Sequence, residues 1–132
     1  MTHLMDSSAF FAYFFNEPGR VRVEEILRNT THSPGLSILT ATEFWACLKR
    51  QGNSAAFEQE WQEHRPLFDE VVPVDWAVTH QGILLREAVR TRLPAMDALI
   101  AATAVVRDAV LVHRDPHFLE IPPSLMRQEY LG

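Results

Sequence analysis

The sequence carries four carboxylates at points where a strand is predicted to end or a helix to begin: Asp6, Glu43, Asp97 and Asp115. Ligands of open α/β sheets bind outside the carboxyl ends of the strands, so we expect these side chains to converge on one edge of a sheet. Carboxylate oxygens are hard ligands that suit Mg²⁺ or Mn²⁺. The pattern therefore predicts an acidic metal site.

Such a cluster of like charges needs compensation, because carboxylates a few ångströms apart raise one another's pKa and oppose folding. A divalent cation supplies that compensation. Two such ions can also activate water and stabilise the leaving oxygen when a phosphodiester is cleaved. The only cysteine, Cys47, cannot build a cysteine zinc site and predicts a reducing, cytoplasmic setting.

Each carboxylate also has a purely structural interpretation. Glu43 forms T-x-x-E with Thr40, the pattern of a helix capping box. The helix dipole stabilises an acid in the first turn, which would account for Asp97. Asp115 precedes a proline and suits a turn. Asp6 is harder to explain in this way, because it lies between an apolar segment and an aromatic helix and is expected to be buried.

The elements that position these acids are short and alternate along the chain. Apolar runs predict strands at 2–5, 32–37, 68–74 and 109–112, with a last edge strand starting at Ile121. Helical spacing predicts helices at 10–15, 21–29, 40–50, 53–64, from Asp75 onward, and at 96–109. This alternation predicts an α/β/α fold, with a short parallel sheet flanked by helices on both faces.

Length and composition limit the class of protein further. The chain has 132 residues, of which 47% are apolar, and no linker or repeat, so one domain over 1–132 is expected. Its net charge of −5 excludes a basic coat for nucleic acid. No stretch approaches the length of a membrane span, and no membrane partner is expected.

Four segments resemble, in order, the motifs of PIN-domain ribonucleases, and most closely those of VapC-type toxins of prokaryotic toxin–antitoxin pairs. They are L-M-D-S-S-A at 4–9, T-A-T-E at 40–43, M-D-A-L-I-A-A-T-A at 96–104 and L-V-H-R-D-P-H-F at 111–118. The resemblance spans the whole chain.

This resemblance implies a Mg²⁺-dependent endoribonuclease, with Mn²⁺ as a substitute, that cleaves RNA by metal-activated water. It assigns Asp6, Glu43, Asp97 and Asp115 to the family's acidic quartet, as catalytic and metal-binding residues. Ser8 takes a supporting or helix-capping role in the motif that follows Asp6. The resemblance also implies a cognate VapB-like antitoxin and a homodimer.

Three further residues around Asp115 are candidates for contact with RNA or for support of the site: His113, Arg114 and His117. The two histidines have a spacing that resembles a metal pair, but zinc lacks the further nitrogen or sulfur ligands that it needs. Arg114 can bind the scissile phosphate or pair with a neighbouring acid.

Two other classes of protein also place acids at strand ends. A flavodoxin-like phospho-acceptor or binding module without nuclease activity requires a strand-end lysine, whereas the only lysine, Lys49, lies within a predicted helix. A phosphatase of the haloacid dehalogenase type requires a second acid two residues after its nucleophilic aspartate, where this chain has Ser8.

Overall fold

The computed structural model describes residues 1–132 and contains five strands and six α-helices. The strands are β1 His3–Met5, β2 Pro34–Ser37, β3 Glu70–Val72, β4 Val110–His113 and β5 Gln128–Tyr130. The helices are α1 Ser7–Phe14, α2 Arg20–Arg28, α3 Leu39–Arg50, α4 Phe57–His64, α5 Trp76–Ala88 and α6 Ala95–Val106. Short 3₁₀ helices lie at Ser54–Ala56, Arg65–Leu67 and Pro116–Glu120.

All five strands are parallel and lie in the order β3-β2-β1-β4-β5. The chain builds outward from β1 to β3 and then returns to place β4 on the other side of β1. The strand order therefore reverses between β1 and β4, and side chains that leave the carboxyl ends of these two strands meet at the reversal point.

The alternation of side chains along the strands divides the core into two layers. Leu4 and Leu111 point to one face of the sheet and pack with α5 and α6. Met5, Leu36 and Val112 point to the other face and pack with the apolar residues of α1 to α4. Helices cover both faces, so the predicted α/β/α fold is confirmed.

Helix α6 is buried along most of its length, as its apolar composition predicted. Alanines on this helix allow a close approach to α5, where Gly82 faces it. A Cβ atom at Gly82 would lie 3.3 Å from the side chain of Leu99, so the two helices meet with little room for a larger residue. This packing fixes the position of the α6 N-terminus and of the acid in its first turn.

Some predicted boundaries differ from the structure. Strand β3 is shorter than 68–74, and the helix predicted at 53–64 is divided into a 3₁₀ turn and α4. The edge strand predicted to start at Ile121 was placed wrongly, because that residue ends the 3₁₀ helix Pro116–Glu120 and the prolines after it offer no backbone donors. The edge strand is Gln128–Tyr130 instead. None of the helices is both long and apolar enough to cross a lipid bilayer.

Candidate active site

The four acids predicted from the sequence lie at one edge of the sheet. Asp6 follows β1 directly, Asp115 follows β4 after one intervening residue, and Glu43 lies on the helix that follows β2. Asp97 lies in the first turn of α6, whose N-terminus is at the same edge because α6 precedes β4 in a parallel crossover. The carboxylates are close enough for the charges of Asp6 and Asp115 to raise the pKa of both Glu43 and Asp97.

Asp6 is buried at the start of α1, with 5% of its surface exposed. Its Oδ2 accepts hydrogen bonds from the backbone N–H of Ser8 at 3.1 Å and from the Ser8 hydroxyl at 2.5 Å. Burial raises the pKa of Asp6, the Ser8 hydrogen bonds oppose that increase, and the charge of Asp115 adds to it. The carboxylate of Asp6 is therefore the N-cap of α1, and its charged form is destabilised by burial and by the charge of Asp115.

Ser8 connects Asp6 to the strand on the other side of the reversal point. While its hydroxyl donates to Asp6, its oxygen accepts a hydrogen bond from the backbone N–H of Arg114 at 2.9 Å. This bond holds the segment that carries Asp115 close to Asp6. The geometry agrees with the supporting role that the sequence motif assigned to Ser8.

Glu43 does not form the capping box that was the alternative interpretation. Helix α3 begins at Leu39, one residue before the predicted start, so Glu43 lies in the second turn, and no side chain caps the helix. Instead, the hydroxyl of Ser7 donates to Glu43 Oε1 at 2.6 Å and lies 3.2 Å from the buried hydroxyl of Thr40. Burial raises the pKa of Glu43, and the bond from Ser7 lowers it.

Ser7 was not a candidate from the sequence. The only signal was its place beside Asp6 in D-S-S, because its partner Glu43 is 36 residues away in the chain. Consecutive residues on the first turn of α1 thus hold two acids from different elements: Ser7 holds Glu43, and Ser8 holds Asp6.

Replacing Ser7 by Ala is expected to weaken the binding of Mn²⁺ about tenfold, since removing partners of ligating side chains has effects of this order. Loss of the hydroxyl raises the pKa of Glu43 further, so protons compete better with the ion and the defect is larger at pH 5.5 than at pH 8. Calorimetric titration at the two pH values measures this difference. The control is Ser54→Ala, which removes an exposed hydroxyl outside the site, and a defect independent of pH would contradict the explanation.

Asp97 and Asp115 face the imidazole of His117. Nδ1 of His117 lies 3.2 Å from Asp115 Oδ1 and 3.4 Å from Asp97 Oδ2. Burial and the charges of Asp115 and Asp6 raise the pKa of Asp97 to about 6, against the opposing effect of His117. Asp115 also accepts from the backbone N–H of His117 at 2.9 Å, so the turn-forming interpretation describes part of its role.

Neither of the other two accessory candidates contacts a carboxylate of the four acids. His113 is fully buried, its Nε2 lies 2.7 Å from Gln128 Oε1, and its Nδ1 accepts from the backbone N–H of Asp115. Its burial excludes direct contact with RNA, whereas the bond from the backbone of Asp115 fits the other half of the prediction, support of the site. Arg114 Nη1 lies 3.5 Å from Glu17 Oε1, which is the ion-pair alternative, and its contact with a phosphate stays a prediction.

The negative charge of this edge has little compensation from the protein. No lysine or arginine forms an ion pair with any of the four acids, and His117 is their only basic partner. Partly buried carboxylate oxygens without lysine or arginine partners form a donor set that fits Mg²⁺ or Mn²⁺. None of the cavities of the protein is lined by these acids, and we call the edge that carries the four carboxylates the acidic rim.

Comparison with known proteins points to one family. Residues 4–122 match the family model described as the PIN domain. The search of curated proteins finds no significant match.

Solved structures with a similar fold include two VapBC complexes and one FitAcB complex. DNA-bound VapBC from Salmonella typhimurium matches at 18% identity with a TM-score of 0.81, covering 100% of this chain and 99% of that one. Promoter-bound VapBC2 from Rickettsia felis matches at 16% identity, with a TM-score of 0.78 and 98% of each chain covered. FitAcB from Neisseria gonorrhoeae matches at 19% identity, with a TM-score of 0.74 and 98% of each chain covered. At such identities these matches establish a shared fold.

Proposed function

Because the chain belongs to the PIN domain family, we propose that it is a Mg²⁺-dependent endoribonuclease and the toxin of a VapBC-like toxin–antitoxin pair. The observation that carries the proposal is the set of four carboxylates at the strand-order reversal, with no lysine or arginine paired to any of them. A site of this kind is costly unless a cation binds to it.

In this proposal Asp6, Glu43, Asp97 and Asp115 hold the ion, with Mn²⁺ able to replace Mg²⁺. The chemistry that such an ion supplies is a lowered pKa for water and stabilisation of charge at the scissile phosphate. Ser7 and Ser8 orient Glu43 and Asp6 through the hydrogen bonds described above, and these bonds oppose the rise that burial causes in the pKa of each acid. Burial and the neighbouring negative charges that raise the pKa of Asp97 to about 6 also favour a bound cation, because the ion offsets the repulsion among these carboxylates.

RNA is the proposed substrate, and the partial exposure of Asp97 and Asp115 leaves their carboxylates within reach of a phosphate at the acidic rim. The net charge of −5 does not oppose this, because four of the 17 acidic residues belong to the site and a bound cation neutralises much of their charge. A nuclease of this composition meets RNA through its metal ions and a few arginines rather than through a general basic surface.

The proposed partner is a VapB-like antitoxin, which the toxin–antitoxin complexes among the structural matches support. An antitoxin segment that brings arginine to the acidic rim would supply the positive charge that the rim lacks. We also propose a homodimer: α5 exposes an apolar stripe of Trp76, Ile83 and Leu84, and surface of this kind favours association. Sedimentation of the chain with and without Trp76→Ala tests that part.

Cleavage of RNA by the purified chain tests the activity. In 5 mM Mg²⁺ or Mn²⁺ a structured RNA should be cut at internal positions, and EDTA should stop the reaction because the acids alone cannot activate water. A DNA of the same sequence controls for substrate class. Metal-independent cleavage, or RNA left intact by a protein shown to bind the ion, would contradict the proposal.

The position of the only lysine argues against the phospho-acceptor alternative, which requires a lysine at a strand end. Lys49 Nζ lies 5.0 Å from the centre of the Trp45 ring near the end of α3, and no lysine reaches the acidic rim. A chain of this second class would gain a covalent phosphate from a small phosphodonor. The mass of the intact protein after incubation with acetyl phosphate separates the two functions, and we expect no change.

A further inference from the structure

We propose that His117 is a direct metal ligand beside Asp97 and Asp115 and gives the site a preference for Mn²⁺ over Mg²⁺. The inference rests on the proposed function, since it takes the acidic rim to be the place where the ion binds. It goes beyond that function by assigning a nitrogen ligand to a site whose other ligands are all oxygens.

The positions of the three side chains fit a shared ion. The ligand atoms of Asp97, Asp115 and His117 all lie within 4.8 Å of one another. The nitrogen of His117 is 3.2 and 3.4 Å from the two carboxylate oxygens. Adjacent ligands of an octahedral ion with bonds of about 2.1 Å are about 3.0 Å apart, so only a small adjustment brings both pairs to that spacing.

No side chain outside the acidic rim contacts the ring of His117 to orient it. Its side chain is 58% exposed, and the only side chains near its Nδ1 are the two carboxylates. The local turn uses the backbone of His117, whose N–H donates to Asp115, and any residue except proline can supply that bond. His113, by contrast, is buried and makes hydrogen bonds from both ring nitrogens.

The choice of ion follows from the chemistry of imidazole. Mg²⁺ takes oxygen ligands almost exclusively and loses its waters reluctantly, so a nearby imidazole adds little to its binding. Mn²⁺ binds nitrogen ligands more tightly than Mg²⁺ does, and it also binds carboxylates. Two carboxylates and one imidazole therefore favour Mn²⁺, whereas an all-carboxylate rim would hold the two ions with more similar affinity.

Calorimetric titration of the purified chain with each ion measures this preference directly. In His117→Ala we expect the affinity for Mn²⁺ to fall about tenfold or more and the affinity for Mg²⁺ to change less than about threefold. His80→Ala is the matched control, because it removes an exposed histidine on α5 outside the site and should bind both ions as the original chain does. An equal loss for the two ions, or no loss for either, would overturn the inference.

Pulsed EPR of bound Mn²⁺ gives a readout that does not depend on activity. The original chain and His80→Ala should show the modulation of a directly coordinated ¹⁴N nucleus, and His117→Ala should not. A spectrum without that modulation in the original chain, or one that keeps it in His117→Ala, contradicts ligation by His117.

Asp97→Asn separates a failure of this inference from a failure of the proposed function. If Asp97→Asn abolishes binding of both ions while His117→Ala changes neither, the acidic rim is the metal site and only the role of His117 is wrong. If Asp97→Asn binds Mn²⁺ as tightly as the original chain, the ion lies elsewhere, and both the inference and the metal site of the proposed function fail.

Discussion

Replacing Asp6 or Asp97 by Asn should reduce the rate of RNA cleavage by at least about 100-fold in saturating Mg²⁺, more than loss of a side chain that only supports a ligand. Each replacement removes one negative charge from the set that holds the ion while it keeps the size of the side chain. Asn also preserves the cap of α1, because its amide oxygen can accept the bond from the backbone N–H of Ser8. The loss should therefore come from chemistry and not from unfolding.

Initial rates on a labelled RNA, with circular dichroism of each variant, measure this effect. Asp69→Asn is the matched control, because it makes the same chemical change at an exposed position just before β3. Both site variants should keep their helical signal. A cleavage rate within about threefold of the original chain in either variant would contradict the assignment of that residue.

The same Asp97→Asn change should stabilise the protein without metal, and only above about pH 5. The pKa of Asp97 in the folded chain is raised to about 6 from the usual 3.8. Between these pH values Asp97 has lost its proton in the unfolded chain but keeps it in the folded chain. The free energy of unfolding therefore falls as the pH rises from about 4 to about 6, and it stays low above that range. Asparagine has no charge to bury, and the variant escapes this loss.

The expected gain at pH 7.5 in EDTA is about 1 to 3 kcal/mol, or about 3 to 10 °C in melting temperature. At pH 4 the two proteins should melt at nearly the same temperature. Thermal melts across this range measure the difference, and Asp69→Asn should show no such trend. Mn²⁺ should stabilise the original chain at pH 7.5 and leave the variant unchanged, because binding to the folded state alone raises stability. A variant less stable than the original chain in EDTA at pH 7.5 would contradict repulsion within the acidic rim.

Parts of the fold could be predicted because they depend on local patterns. The alternation of apolar runs with helical spacing indicated the parallel sheet and its two helical layers. The cap formed by Asp75 at the start of α5 is a contact over three residues, and the structure contains it, with the backbone N–H of Val78 donating to the carboxylate at 2.9 Å. The edge strand could not be predicted in this way, since R-Q-E-Y has no apolar alternation and pairs with β4 only through its backbone.

The two histidines beside Asp115 illustrate the limit of sequence patterns within the site. They lie four residues apart and have the same chemistry, yet His113 is the last residue of β4 and packs against Phe118 and Tyr130. His117 lies on a short helix at the surface and faces the acids. The two histidines differ in their surroundings because β4 ends at His113 and the chain then leaves the sheet. The spacing of the two residues in the sequence does not reveal where the strand ends.

The sequence by itself determined which residue types the site would use. Four acids at the ends of strands and starts of helices indicate a cation, because parallel strands and their return helices bring those ends to one edge of a sheet. That inference needs only the order of the strands and helices along the chain, because parallel strands place all of their carboxyl ends at the same edge of the sheet.

The tertiary structure decided how those acids are held and what accompanies them. Ser7 reaches Glu43 across 36 residues of chain, Glu43 does not cap its helix, and Arg114 pairs with Glu17. Each of these outcomes depends on which side chain packing brings within hydrogen-bonding or ion-pair distance, here 2.6 Å for Ser7 and 3.5 Å for Arg114, and hydrogen bonds weaken steeply when their geometry is poor. Contacts of such short range between distant parts of the chain follow from the packing of both helical layers, which no local pattern contains.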